Sequence, residues 1–322
     1  SGDSEESRQS WPWHKVLWLT GVDYFSTLGY QPGIAFLAAG VLSPIASALL
    51  VLVTLFGALP AYMAVARRSY IGQGSIAMLE KLLHGWWAKL LVLLLLGFAT
   101  TAFVITMTLS AADAALHAVE NPLLNPYIGH QRMAVTLLLL AALAVLFLRG
   151  AREVIGVAVA VGVPYILANV VVIGRGLWEV AARPDLWERF SFELSARGDL
   201  TGILAASVLV FPKLALGLSG FETGVAVMPL VKSESAPGED PVPGRIRATH
   251  KLLASAAIVM SVMLIGSSLA TTVLIPAAAF SPGGAANGRA LAFLAHELLG
   301  SGFGTVYDVL TILILWFAGS SA

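Results

Sequence analysis

Thr20-Gly21-Val22-Asp23-Tyr24-Phe25-Ser26-Thr27-Leu28-Gly29-Tyr30-Gln31-Pro32-Gly33 is the stretch on which the reading of this chain turns. It lies inside a long apolar run, Val16 to Leu42, yet brings together a carboxylate, a row of hydroxyls, three glycines and a proline. A continuous lipid-facing helix does not tolerate that composition. Pro32 removes a backbone donor and disfavours helical geometry at Gln31, and backbone groups freed at membrane depth survive only where protein or a water-filled cavity satisfies them. The first span is therefore expected to be broken.

The rest of the 322 residues supports a bilayer setting. Hydrophobic residues make up 57% and charged residues 12% of the chain, where soluble domains carry roughly a quarter charged. The 19 basic and 19 acidic side chains balance, so no basic excess argues for nucleic acid. Cysteine is absent, which rules out disulfides, thiolate metal sites and Cys nucleophiles. The polar lead Ser1 to Lys15 is too acidic and Trp-rich for a cleaved signal.

A bilayer core requires about 20 apolar residues as helix, which gives eight segments: Val16 to Leu42, Ile45 to Ala66, Leu90 to Ala115, Met133 to Leu148, Val154 to Ile173, Ile203 to Val231, Leu252 to Ile275, and Val306 to the end. The last segment stops at Ala322 without a polar flank, so the chain reads as a fragment of a longer protein. Twelve Lys and Arg fall on one side of these segments and six on the other, which places the N-terminus in the cytoplasm. Trp178 to Asp199 reads as a surface excursion with a short helix. Arg289 to Leu299 reads as a short helix ending at Gly300, and Gly72 to Leu83 as an amphipathic segment along the interface.

The sixth segment repeats the theme of the first as Leu218-Ser219-Gly220-Phe221-Glu222-Thr223-Gly224, followed by Pro229. Aligned, the two read hydroxyl-Gly-apolar-acid: Thr20-Gly21-Val22-Asp23 and Ser219-Gly220-Phe221-Glu222. An odd number of spans per repeat inverts the second copy, and paired Gly/Pro-interrupted segments in two inverted halves point to a secondary-transporter binding site. Asp23 and Glu222 are the leading candidates, because an intramembrane acid costs roughly 2.5 to 3.5 kcal/mol on insertion scales. Gly21, Gly29, Gly33, Gly220 and Gly224, with Pro32, are expected to form the breaks or hinges. Lys213, nine residues before Glu222, reads as a snorkelling cation or an outer gate. Asp113 and Asp308 read as solvated helix ends. The six histidines show no metal spacing, and no nucleophile elbow supports an enzyme.

The five-span offset, the broken first and sixth spans and Gly220-Phe221-Glu222 resemble the amino acid-polyamine-organocation (APC) superfamily. Asp23-Tyr24-Phe25-Ser26-Thr27-Leu28-Gly29-Tyr30 is similar to its potassium-importer branch near the K+ uptake permease (KUP) family. The resemblance implies an all-α polytopic membrane protein with a LeuT-type inverted repeat: a cytoplasmic lead (1–15), a first five-helix repeat (16–175), an extracytoplasmic connection (176–200) and an incomplete second repeat (201–322). It also implies three to five further spans after the eighth, so the fragment alone is not expected to transport. Carried over, the ion site falls on Asp23, Tyr30, Thr106, Ser219 and Glu222. The third span departs from the pattern, with Ala102 where the branch has an acid and Phe103 as its aromatic neighbour, which weakens cation binding or changes the ion. The implied activity is proton-coupled uptake of potassium or another monovalent cation, with Na+ as the alternative coupling ion and Asp23 or Glu222 as proton carrier. The rival is an amino acid or amine permease of the same fold, and the minor alternative a transporter-like sensor. The implied partners are the lipid bilayer of the cell membrane, the small solute or ion, and a second copy in a homodimer; no cofactor is implied.

Overall fold

The computed structural model describes residues 10–70, 74–149, 154–215, 220–236 and 238–319. Among them the chain is all-α, and the one β-type contact is an isolated bridge between Trp11 and Val231. Five helical stretches are long and apolar enough to cross a membrane, or six if one pair bent by 88° counts as a single span. The protein is a helical membrane protein.

The first apolar run is divided into α1 (Trp13–Ser26) and α2 (Gln31–Ala39) by a tight turn over Thr27–Gly29. The second comprises α3 (Ser43–Val53) and α4 (Leu59–Arg68), joined by a wide π turn over Thr54–Ala58. Pro60, at the start of α4, accounts for the widening: it offers no N–H to the carbonyl four residues back, and its ring would strike that carbonyl in a regular α-helix. α5 (Gly74–Leu82) is the expected amphipathic segment. α6 (Trp86–Glu120) is unbroken over 35 residues, longer at both ends than the apolar core alone predicts.

After the short α7 (Asn125–Ile128) come α8 (Arg132–Arg149) and α9 (Val154–Ala182), which runs through Pro164. α9 continues well into the stretch expected to be a surface excursion, with Glu179 paired to Arg175 and Arg183 one turn either side. α10 (Pro184–Ser195) is the short helix of that excursion, and its axis meets α11 (Leu200–Leu214) at 88°. α12 (Phe221–Ala226) is a short stub, α13 (Pro241–Leu274) a full span, and α14 (Ala290–Ala318) two limbs meeting at Gly300, where φ is +83°. That break falls where the sequence places a helix end.

The helices pack as a bundle with two ends. α1, α6, α9 and α13 begin at the proximal end, where Trp11 pairs with Val231 and His250 Nε2 lies 3.0 Å from the Met63 carbonyl. α2, α6, α9 and α13 finish at the distal end. α1 lies at the centre, against α9, α13 and α14. A buried hydroxyl seam, Ser43 and Ser47 each 3.0 Å from Ser268, joins α3 to α13, the kind of contact that holds apolar helices together where no water drives association. Long leucine-rich faces of α6 and α8 remain exposed, including Trp86, Trp87, Phe98 and Met133, and suit contact with lipid.

The two limbs of α14 approach so closely that a β-carbon on Gly304 would lie 2.3 Å from the His296 ring. Gly304→Val is therefore expected to lower the thermal unfolding midpoint in detergent, whereas Gly302→Val, whose β-carbon would meet nothing within 4 Å, should leave it near that of the parent. Equal losses in the two variants would count against this packing.

Candidate functional site

The first break is stabilised locally by its own hydroxyls. Ser26 donates to the Asp23 carbonyl at 2.8 Å and Thr27 to the Tyr24 carbonyl at 2.7 Å, recapturing acceptors that lose their partners where α1 stops. Asp23, 6% exposed, sits one turn before the break. Gln31, 1% exposed, lies just beyond it and donates from Nε2 to the Leu214 carbonyl at 3.1 Å. Leu214 is the last residue of α11, so the first break caps the end of the other interrupted helix.

The interruption after α11 returns the contact. Gly220 has a left-handed φ of +88°, and a β-carbon there would sit 2.8 Å from Tyr24 Cβ. Only glycine meets both demands cheaply. From Gly220 the chain enters α12, and Thr223 donates its hydroxyl to Asp23 Oδ2 at 3.2 Å. Ser219 lies outside the described residues.

The other candidates divide. Tyr30 is half-buried and lies within electrostatic reach of Asp23, Asp113 and Tyr165. Glu222 faces elsewhere than Asp23: its Oε1 accepts the Ser75 N–H at 2.7 Å, at the start of α5, and it also interacts with the Tyr62 hydroxyl. Thr106 is half-buried on α6, with no hydrogen bond to Asp23 or Glu222 among the described residues. Ala102 is exposed on the same helix, and the α6 carboxylate nearest Tyr30 in its electrostatics is Asp113, which also senses Arg132. Lys213 is exposed on α11, with no ion pair among the described residues. Of the expected hinge residues, Gly29 and Gly220 stand at breaks and Pro32 opens α2. Gly21, Gly33 and Gly224 instead lie within α1, α2 and α12, the first and last as points of close packing against Phe25 and Leu253.

Asp308 is not a solvated helix end. Its side chain is fully buried and is the acceptor at the centre of a distal cluster. Arg289 Nη2 lies 3.0 Å from both of its oxygens, Asn121 Nδ2 donates at 2.9 Å, and His117 Nδ1 and His296 Nε2 lie at 3.1 and 2.9 Å. Arg289 also donates to the Glu120 carbonyl at 2.9 Å, tying both limbs of α14 to the end of α6. The available signal was the acid itself: a carboxylate within an apolar helix is seldom left without partners.

No protein-family model matches the chain, and no curated protein matches it. The assignment of function therefore rests on two buried carboxylates in opposite states. Asp308 is neutralised by Arg289 and supported by three further side chains; Asp23 has one hydroxyl and, among the described residues, no basic partner.

The contrast predicts different stability losses. Asp308→Asn leaves a buried guanidinium uncompensated, which costs about 3 to 5 kcal/mol, whereas Asp23→Asn weakens one hydroxyl contact, worth about 1 to 3 kcal/mol. Thermal unfolding in one detergent should thus rank Asp308→Asn well below Asp23→Asn. The reverse order would refute the structural assignment of Asp308.

Proposed function

We propose that the chain belongs to a secondary active transporter of the APC type, with a LeuT-like inverted repeat, in which Asp23 binds a cationic solute between two broken helices. The observation that carries the reading is the unneutralised Asp23. A carboxylate buried beside interrupted helices and left without a basic partner provides for a cation that arrives and leaves.

The pattern of helix neighbours supports the repeat. α1 and α2 pack against α12 and α11, α3 and α4 against α13, and α6 against α14. Counted by the eight apolar segments of the sequence, the first, second and third thus lie beside the sixth, seventh and eighth, an adjacency that two interlocked inverted repeats would give. On the charge bias of the sequence the proximal end is cytoplasmic and the distal end faces outward across the cell membrane.

Potassium or another monovalent cation, taken up with protons, is the preferred cargo. Asp23 supplies charge, while Thr223, Tyr30 and carbonyls near the first break supply oxygen atoms to replace lost hydration water. Asp113, which interacts electrostatically with Tyr30, adds a second acid near the site. A second reading, an amine or amino acid permease, is favoured by the exposure of Ala102: the third-span position that holds an acid in the potassium branch neither carries one nor faces Asp23. In that case Asp23 pairs with the ammonium group of the solute.

Flux into proteoliposomes made with the full gene product decides between them. Rubidium and potassium are compared with an amino acid panel, with and without a pH gradient. Rubidium uptake that is accelerated by the gradient and lost in Asp23→Asn is the expected result. Amino acid counterflow without rubidium flux would replace the first reading with the second, and no flux of either would sink both.

A further inference from the structure

Glu222 and Thr223 are consecutive residues of one short helix, and they hold two different parts of the molecule. Adjacent positions on a helix point about 100° apart, so α12 reaches Asp23 through Thr223 on one side and the start of α5 through Glu222 on another. The Glu222 contact is closely fitted. Its carboxylate accepts the Ser75 N–H, a β-carbon on Gly74 would lie 2.4 Å from its Oε1, and Gly74 has a φ of +73°. An anionic side chain on the first free N–H groups of a helix is a favourable cap. Beside it Phe221 is packed between Tyr24, the neighbour of Asp23 in the chain, and Tyr62, with ring centroids 5.4 and 5.5 Å away.

We propose that Glu222 is the latch of the proximal gate: its carboxylate holds α5 against α12 over the Tyr24–Phe221–Tyr62 plug, and release of that contact opens the route from Asp23 to the proximal face. Glu222 is on this account a positioning residue and not a ligand of the transported ion. The inference rests on the transporter reading for its purpose but not for its geometry. α12 links the two events. Movement of Thr223 when the oxygen atoms of Asp23 are taken by a cation displaces the neighbouring Glu222 as well.

The chain has no cysteine, so two introduced thiols can be spin-labelled without background. Labels at the exposed Glu80 on α5 and Arg247 on α13 report the distance between α5 and the bundle by pulsed electron resonance in lipid nanodiscs. The parent should give one narrow distribution. Glu222→Ala should add a component longer by on the order of one helical turn, ~5 Å. Glu222→Gln, whose amide oxygen still accepts from Ser75, should stay narrow. Gly74→Val pushes on the same contact from the α5 side and should reproduce the longer component, which keeps the test intact if Glu222→Ala does not fold.

A distribution unmoved by both Glu222→Ala and Gly74→Val overturns the latch. So does Glu222→Gln opening as widely as Glu222→Ala. The distance measurement requires no transported solute, so an absence of rubidium or amino acid flux would count against the transporter reading alone. Where rubidium flux is present, Glu222→Gln should leave KM within about twofold of the parent, within about 0.4 kcal/mol of binding free energy. A rise of tenfold or more with unchanged distances would assign Glu222 to the ion site instead.

Discussion

Backbone polar groups within a bilayer cannot turn to water, and everything else in this structure follows from how two interrupted helices meet that demand. A helix that stops in hydrocarbon leaves carbonyls and N–H groups without partners, each costing several kcal/mol. Here the two interruptions complete each other. Gln31 beyond the first break donates to the last carbonyl of α11, and Thr223 beyond the second donates to Asp23 before the first. Gly220 allows the approach by leaving space for Tyr24. The two breaks therefore lie in direct contact.

The same constraint explains the division of labour between the acids. Asp308 is surrounded by donors from three segments, and such a carboxylate fixes the distal ends of α6 and α14 rather than exchanging ligands. Asp23 is buried to a similar degree with far less support. Asp23 has no permanent counter-ion among the described residues, and the proposed cation site rests on that property. Glu222, a third acid, also has no basic partner among the described residues: one of its oxygens accepts from the start of α5, one residue from the hydroxyl that touches Asp23, and the other is buried without a hydrogen bond.

Much of this was legible in the sequence, for identifiable reasons. The breaks after Asp23 and before Phe221 were legible because glycine and proline act locally on the backbone. The turn at Gly300, the helix α5 and the short helix α10 were legible from the same punctuation and from apolar spacing. The pairings were not. Thr223 and Asp23 are 200 positions apart, and matching the two motifs acid to acid pointed to Glu222, whereas helical phase turns the next residue toward Asp23. The surroundings of Asp308 were hidden for the same reason. Its partners come from α6, from the segment before α14 and from across the Gly300 turn, and the position of Asp308 near a helix end suggested water. Gly21 and Gly224 misled in a simpler way, since glycine serves close packing within helices as readily as it serves breaks.

The decisive question is whether a cation binds at Asp23. Anomalous diffraction from crystals of the protein grown with rubidium addresses this most directly. A single strong peak within coordination distance of the Asp23 carboxylate, absent in Asp23→Asn crystals, is the predicted result. Strong rubidium peaks confined to other acids, with Asp23 still bonded to Thr223 alone, would contradict it.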